Sequence, residues 1–367
     1  MNKLKNKFTK FGGLFKSKLN LKEFKVFQNA YYWFIAPLVV VLIGLICGTI
    51  YSTSGNKYDG FANVGVDFKG GTVLTVEVES GFEMLGTNYD ANEELIRETV
   101  SKLGASPTQG QTQGTNAINV RYPNSINGEN YNTDEKSAEM ISINNEIEKA
   151  IKLAFTEKYG EDAVVVASTE LINATASASL ITKAILSVLL AILAILIYII
   201  IRFDLFSGIA AILALIHDVL IVFAGVIIFR ISINSSFIAA IITVVAYSIN
   251  NTIIIFDRVR DFTKPYKNKK FKIDVTSAVN NSVKDTLTRS VLTTITTLIT
   301  ITALASVGIQ ALSEFALPII FGLIAGAYSS VLIAPSIWGL MMKAQQKYAK
   351  KNKGDKTPAH FFKKKNA

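Results

Sequence analysis

Two asparagines stand side by side in an apolar segment, VVAYSINNTIIIFDRVRD, residues 244–261. Asp257 follows Asn250, and Arg258 follows Asn251, at a spacing of seven. Positions seven apart share a helix face, so each asparagine aligns with one charge. A second polar pair, His217-Asp218, sits in ALIHDVLIVFAG, and a third site, Arg289, opens the threonine-rich run TRSVLTTITTLITIT. In water such residues are unremarkable. In a bilayer they are costly, and they mark ion paths, proton relays or helix contacts. The chemistry on offer is acid–base and electrostatic. Histidine exchanges protons near neutral pH, and a carboxylate beside it either relays a proton or forms a structural pair. Asparagine bonds but does not titrate. Asn250 therefore reads either as an interhelical hydrogen-bonding residue or as a functional one. Arg289 either snorkels to the interface or pairs with a carboxylate on another helix. Thr293, Thr294, Thr296, Thr297 and Thr300 either line a water path or satisfy backbone carbonyls.

Covalent chemistry has little to stand on. The chain has no phosphate-binding loop, no nucleotide glycine fingerprint, no HExxH and no GxSxG. His360, the only other histidine, lies in the tail, so no metal cluster is expected. The expectation is a protein that is not an enzyme and carries no cofactor or metal.

Long apolar elements must hold these residues. Half of the 367 residues are hydrophobic and 18% are charged, against about a quarter charged in soluble domains. Mean hydropathy is +0.35. Six segments reach the roughly 20 residues a bilayer demands: 31–51, 180–201, 208–229, 235–256, 287–308 and 315–341. Gly322 and Gly326 in the sixth are four apart, a small-residue face for close helix packing. Cys47, the single cysteine, lies in GLICG. That stretch faintly resembles a lipoprotein cleavage site, but Ile46 is bulky where a small residue is wanted. The first apolar run begins some thirty residues in, which predicts a retained anchor rather than a cleaved signal.

The net charge of +10 lies in short blocks beside apolar runs, which argues for membrane orientation and against nucleic acid. Residues 1–30 hold eight lysines, the loop at 257–286 is basic, and the tail at 342–367 holds nine lysines. All three read as cytoplasmic by the positive-inside rule, and six spans place both termini on that side. Residues 52–179 are polar and about ten charges net acidic. They read as one extracytoplasmic α+β domain, with spans two to six at 180–341. In it, GVDFKGGTVLTVEV predicts a turn at Gly70-Gly71 and then a strand. Helices are expected over 90–104 and 134–160, and strands over 117–123 and 163–172. SPTQGQTQGTN and YPNSINGENYNT are expected as loops, the second a mobile one.

Five stretches in this order, GVDFKGGT, ALIHDV, YSINNTIIIFDRVRD, LTRS and FGLIAGAYSS, resemble the SecF family, the smaller half of the SecD–SecF complex. The likeness covers most of residues 30–341. It implies a half-RND-like bundle of six helices with a small ferredoxin-like domain outside, in which Asp67, Gly70 and Gly71 form the family's turn motif. It further implies a SecD-type partner, action beside SecYEG on translocating preprotein with YidC- or YajC-type proteins nearby, and use of the proton-motive force. One departure is informative. Where the family motif usually reads Ser-Ile-Asn-Asp, this chain reads Ser248-Ile249-Asn250-Asn251, so an acidic site stands neutralised. Proton carriage then falls to a partner carboxylate reached by Arg289, or to Asp218 or Asp257. A scaffold that stabilises the translocon, or an exporter of small molecules or lipids, are the other expectations.

Overall fold

The computed structural model of the chain describes residues 25–53, 60–78, 89–107, 111–113, 117–160, 165–266, 273–307 and 310–351. The lysine-rich segments 1–24 and 352–367 and the loop lysines Lys267, Lys269, Lys270 and Lys272 lie outside those residues.

Among the described residues, six helices are long and apolar enough to cross a membrane. A helical turn, α1 (Ala30–Trp33), leads into α2 (Ile35–Thr53), which makes the first span. A short turn α3 (Val66–Lys69) and strand β1 (Gly71–Val78) open the polar domain, which continues through α4 (Tyr89–Lys102), β2 (Gln111–Gln113) and β3 (Ala117–Tyr122). It closes with β4 (Ser125–Ile126), β5 (Glu129–Asn130), α5 (Ser137–Tyr159) and β6 (Val165–Ile172). Spans two to five are α6 (Ala174–Arg202), α7 (Leu205–Ile228), α8 (Ser235–Thr263) and α9 (Val275–Ala305). The sixth is α10 (Gln310–Tyr328), which runs through a π-helical stretch, Ser329–Ile333, into α11 (Ala334–Lys351).

Side-chain caps fix where three spans begin. The Asn173 side-chain oxygen accepts from the Ala176 amide at 2.8 Å, and that of Asn234 accepts from Phe237 at 3.2 Å. Asp274 accepts from the Thr276 and Ser277 amides at 3.1 and 3.3 Å. Each satisfies a helix-end donor that would otherwise lack a partner, worth about 1 kcal/mol. The Asp274 cap starts α9 twelve residues before the expected apolar span, because its first turns mix buried apolar with polar residues and apolarity alone did not delimit it.

The bundle is layered by burial. Half of the apolar window of α7 and of α8 is buried and 61% of the sixth span's, against none of α6's. The centre is therefore α7, α8 and α10–α11, and α6 shows its leucines and isoleucines outward. Small residues let the central helices approach, as they do in membranes. Gly44 of α2 lies against Ala224 of α7, and a side chain on Gly322 would overlap Val244 of α8. A Cβ on Gly326 would sit 3.0 Å from the Cβ of Ser248.

The polar domain is a four-stranded antiparallel sheet in the order β2-β3-β1-β6. Alternation along β1 turns Thr72, Leu74 and Val76 to one face, where each opposes a buried residue of β3: Tyr122, Val120 and Ile118. α4 and α5 supply Ile96, Val100, Met140, Ile147, Ile151 and Phe155 to the same core. The polar members bond one another: the Tyr122 hydroxyl donates to Asn144 at 2.9 Å, and Asn144 donates to Thr72 at 3.2 Å. Burial raises the Tyr122 phenol pKa above its ordinary value.

Two expected loops are not loops throughout. Gln111–Gln113 pairs as an edge strand with β3; its glutamine and threonine sequence has none of the apolar alternation that marks a half-buried strand. Within YPNSINGENYNT, β4 and β5 form a hairpin whose turn residues Asn127 and Gly128 have φ of 50° and 85°. Two consecutive positive φ angles are the signature of an Asn-Gly hairpin turn.

Candidate functional site

The polar residues of the bundle fall into two groups, one inside and one facing out. The inner group centres on Asp218. Around Asp218 the buried face of α7 is apolar: Ala211, Ala214, Leu215, Val222 and Gly225. Asp218 interrupts it at 0% exposure. One carboxylate oxygen lies 2.8 Å from Nδ1 of His217. The other accepts from the Ser329 hydroxyl at 3.0 Å and from the Ser248 hydroxyl. The two serines come from different spans, so one carboxylate joins three helices. The His217 ring stacks on Tyr328, 6.3 Å between centroids, and its Nε2 has no hydrogen-bond partner among the described residues. Tyr328 in turn donates to the Trp33 carbonyl at 2.9 Å. A buried carboxyl group with this many hydrogen bonds is the arrangement low-dielectric surroundings require.

The adjacent asparagines part company. Asn251 is 1% exposed, and its amide nitrogen has no partner among the described residues. Asn250 is exposed, on a face it shares with Ala239, Thr243 and Ala246. The expected alignment of Asn251 with Arg258 does not hold for the side chains. Arg258 bends away from that face to Asp285 at 2.5 Å, because its long stem reaches a carboxylate on the neighbouring α9. Asp257 lies between two arginines, Arg202 at 3.2 Å and Arg260 at 2.7 Å. It belongs to a set of half-exposed ion pairs at this end of α8 and not to the buried group.

Arg289 also points outward. It is exposed and has no side-chain partner among the described residues. It stands one turn, about 6 Å, deeper along α9 than Asp285, which Arg258 occupies. Thr293, Thr296 and Thr300 continue the same exposed stripe. Their hydroxyls donate to carbonyls one turn back at 2.8 to 3.0 Å, which decides for backbone satisfaction at these positions. Ser290, on the buried side of α9, is 1% exposed, and its hydroxyl has no partner among the described residues. The Arg289 side chain thus does not reach Asn251 or Asp218 within this chain.

A third set joins the polar domain to the bundle. Asp67 accepts from the backbone amide and the hydroxyl of Ser235, at 3.0 and 2.8 Å. The turn motif of the polar domain therefore caps the fourth span. Gly70, at φ +78°, adopts a backbone that a side chain would strain, and it lets the chain turn from α3 into β1. Beside it, Glu314 of α10 accepts from the Asn234 amide at 2.6 Å and lies 3.6 Å from Arg121 of β3. The Gly65 amide donates to the Ile233 carbonyl at 2.8 Å. Asp67→Ala is expected to lower the unfolding free energy by about 0.5–2 kcal/mol, the range for a lost helix cap. A thermal melt of the purified chain checks it, and an unchanged melt would show that Asp67 is not the cap.

Sequence reading found His217, Asp218, Asn251 and Arg289 but missed Ser248, Ser329, Tyr328, Glu314 and Arg121. For Ser248 a signal existed: it lies three residues before Asn251 and so shares its buried face. Ser329 carried none, since a π-helical stretch sets its direction. Among the described residues, no group of three or more His, Cys, Asp or Glu is assembled that could hold a metal.

Comparison with known proteins places this geometry. Residues 151–344 match the family model for the protein export membrane protein SecD/SecF, C-terminal. The translocase subunit SecF of Rickettsia felis is 30% identical over 331 residues, 90% of this chain and 94% of that protein. The chain belongs to the SecF family. It is a multi-pass membrane protein of the protein-transport machinery. The SecDF translocase subunit of Bacillus subtilis is 31% identical over 84% of this chain but 36% of its own length. A crystal structure of SecDF from Thermus thermophilus, described as a translocon-associated membrane protein, is similar over 89% of this chain. Its TM-score is 0.61 and its identity 27%. This chain spans 39% of that SecDF chain, so the alignment leaves a larger portion of SecDF without a counterpart here.

Proposed function

We propose that this SecF family member pairs with a SecD-type partner and uses the proton-motive force to assist protein export beside SecYEG. The observation that carries the reading is the exposed polar stripe. Ala239, Thr243, Ala246 and Asn250 of α8 and Arg289, Thr293, Thr296 and Thr300 of α9 lie on adjoining helices, with Tyr247 and Thr297 bridging them at 3.3 Å. Small and polar residues suit a helix interface, and a lipid-facing arginine below the membrane boundary does not suit lipid. A partner carboxylate opposite Arg289 satisfies it. SecDF relatives, in which SecD and SecF are one chain, support SecD as that partner.

The lysine asymmetry puts both termini in the cytoplasm and the polar domain outside, where it meets preprotein. Its strand order and two interposed helices suit a ferredoxin-like fold, and the six helices suit half of an RND-type bundle. The joint at Asp67, Glu314 and Arg121 gives a route by which changes in the bundle move that domain. No catalytic chemistry or cofactor is assigned. A second reading, a scaffold that stabilises the translocon without proton use, is favoured by one observation: Asn251 does not titrate. An exporter of small molecules or lipids has less support, because the polar domain of a single half is small.

Site-directed photo-crosslinking tests the pairing. A benzophenone side chain at Ala246 is expected to crosslink to the SecD-type partner, and one at Leu190 on the outward face of α6 is not. Equal labelling at both positions, or none at Ala246, overturns the assigned interface.

A further inference from the structure

We infer that Asp218 is the proton-binding site of this chain, and that its protonation switches the contact between the fourth and sixth spans. The inference deepens the proposed function and rests on its energetic reading. It also resolves the difficulty Asn251 raises, since a titratable carboxylate remains in the same seam.

Asp218 is the single fully buried carboxylate among the described bundle residues. Its neighbours are chosen for reversibility. The hydroxyls of Ser248 and Ser329 donate to its outer oxygen, and a hydroxyl both donates and accepts. They serve a carboxylate by donating and a carboxylic acid by accepting. No fixed positive charge locks the anion in place. The titratable groups facing it are His217 on its own helix and Tyr328 on the sixth span. The first span meets α7 through Gly44 at Ala224 and brings no charge to the contact. On α8, Asp257, Arg258 and Arg260 are nine or more residues beyond Ser248, about 13 Å along the axis, and are tied up with Arg202 and Asp285. Lys343 of α11 lies over Phe27. On α9, Arg289 faces away, and on α6 Arg202 pairs with Asp257.

The proton step balances simply. A proton adds to a carboxylate oxygen of Asp218, either from His217 or through it, and leaves by the reverse. His217 bridges Asp218 to the Tyr328 stack, and its buried Nε2, which has no partner among the described residues, is the ring atom through which the second proton passes once a water or a partner group reaches it. Protonation of the oxygen beside His217 neutralises the carboxyl, so the oxygen that accepts from Ser248 and Ser329 becomes a weaker acceptor and holds the two hydroxyls less firmly. Ser329 has a second acceptor at hand, the Gly326 carbonyl at 3.4 Å. Gly326 is the residue packed against Ser248. The proton therefore acts in the close-packed seam between spans four and six, one turn from the Gly322–Val244 contact, and next to a π-helical stretch, a feature frequent at functional sites.

The test uses the full chain with its SecD-type partner in liposomes. Infrared difference spectra are recorded from about pH 5 to about pH 9, with proton uptake measured under an imposed gradient. A protonated-carboxyl band that titrates in the wild type and is missing in Asp218→Asn supports the inference. So does loss of uptake in Asp218→Asn that is restored in Asp218→Asn/Asn251→Asp, because the double variant returns a carboxylate to the seam. The inference is overturned by the same band persisting in Asp218→Asn, by no band in the wild type, or by undiminished uptake in the variant. A titrating Asp218 band with no wild-type uptake supports the binding site and sinks the energetic reading, so the two failures are distinguishable.

Discussion

Arg289→Ala is expected to abolish the gradient-driven part of export assistance while leaving the chain folded. Arg289 is exposed and has no side-chain partner among the described residues. Its removal should change the stability of the isolated chain by no more than about 0.5 kcal/mol, as for other surface changes. At the proposed interface the residue faces the partner at membrane depth, where losing one member of a buried ion pair costs about 3–5 kcal/mol. That corresponds to weakening of the pairing by more than about a hundredfold. Arg289→Lys keeps the charge but loses the two-pronged geometry, so it should fall between wild type and alanine. Co-isolation with the SecD-type partner and gradient-driven export are the two readouts. If Arg289→Ala keeps both at wild-type levels, the stripe on α8 and α9 is not the working interface.

Gly322→Val should damage the bundle itself. A side-chain carbon on Gly322 falls within the isopropyl group of Val244, and neither helix has room to yield, since both are buried there. Overpacking of a well-filled core costs about 1–3 kcal/mol, occasionally more. The same seam carries Ser248 and Gly326 one turn away, so parting α8 from α10 also draws the serine from Asp218. Gly326→Ala should be milder, because its Cβ would stand 3.0 Å from that of Ser248 and a few tenths of an ångström of give suffices. Thermal unfolding in detergent measures both. Equal melting of Gly322→Val and wild type would mean the contact is looser than these positions indicate.

Much of this was legible in the amino-acid order, and the failures have physical causes. Six apolar runs and the His217-Asp218 pair stand out because a bilayer makes polarity conspicuous. The orientation of Asn250 and Asn251 was also readable. Helical periodicity puts Val244, Ser248, Asn251 and Ile255 on one face and Thr243, Ala246 and Asn250 on another, and the first face is buried while the second is exposed. Treating the two amides as one feature hid that. Arg258 shows the limit of such geometry, since a long side chain leaves the face its backbone assigns. Other features were out of reach. Asp67 caps a helix 168 residues later, and Glu314 meets Arg121 from another domain. No local pattern carries contacts of that separation. Edge strand β2 is held by backbone bonds to β3, which leave no mark in a run of glutamine and threonine. The hairpin at Asn127-Gly128 did carry its mark, the Asn-Gly pair.

The central question is whether export assistance by this chain draws on a proton gradient. The direct measurement is preprotein translocation into vesicles holding SecYEG and the SecD-type partner, with and without this chain, each with the proton gradient intact and collapsed by an ionophore. The chain is expected to raise translocation only while the gradient stands, and collapse is expected to remove the gain. A gain of equal size after collapse would contradict it and leave the chain a scaffold of the translocon.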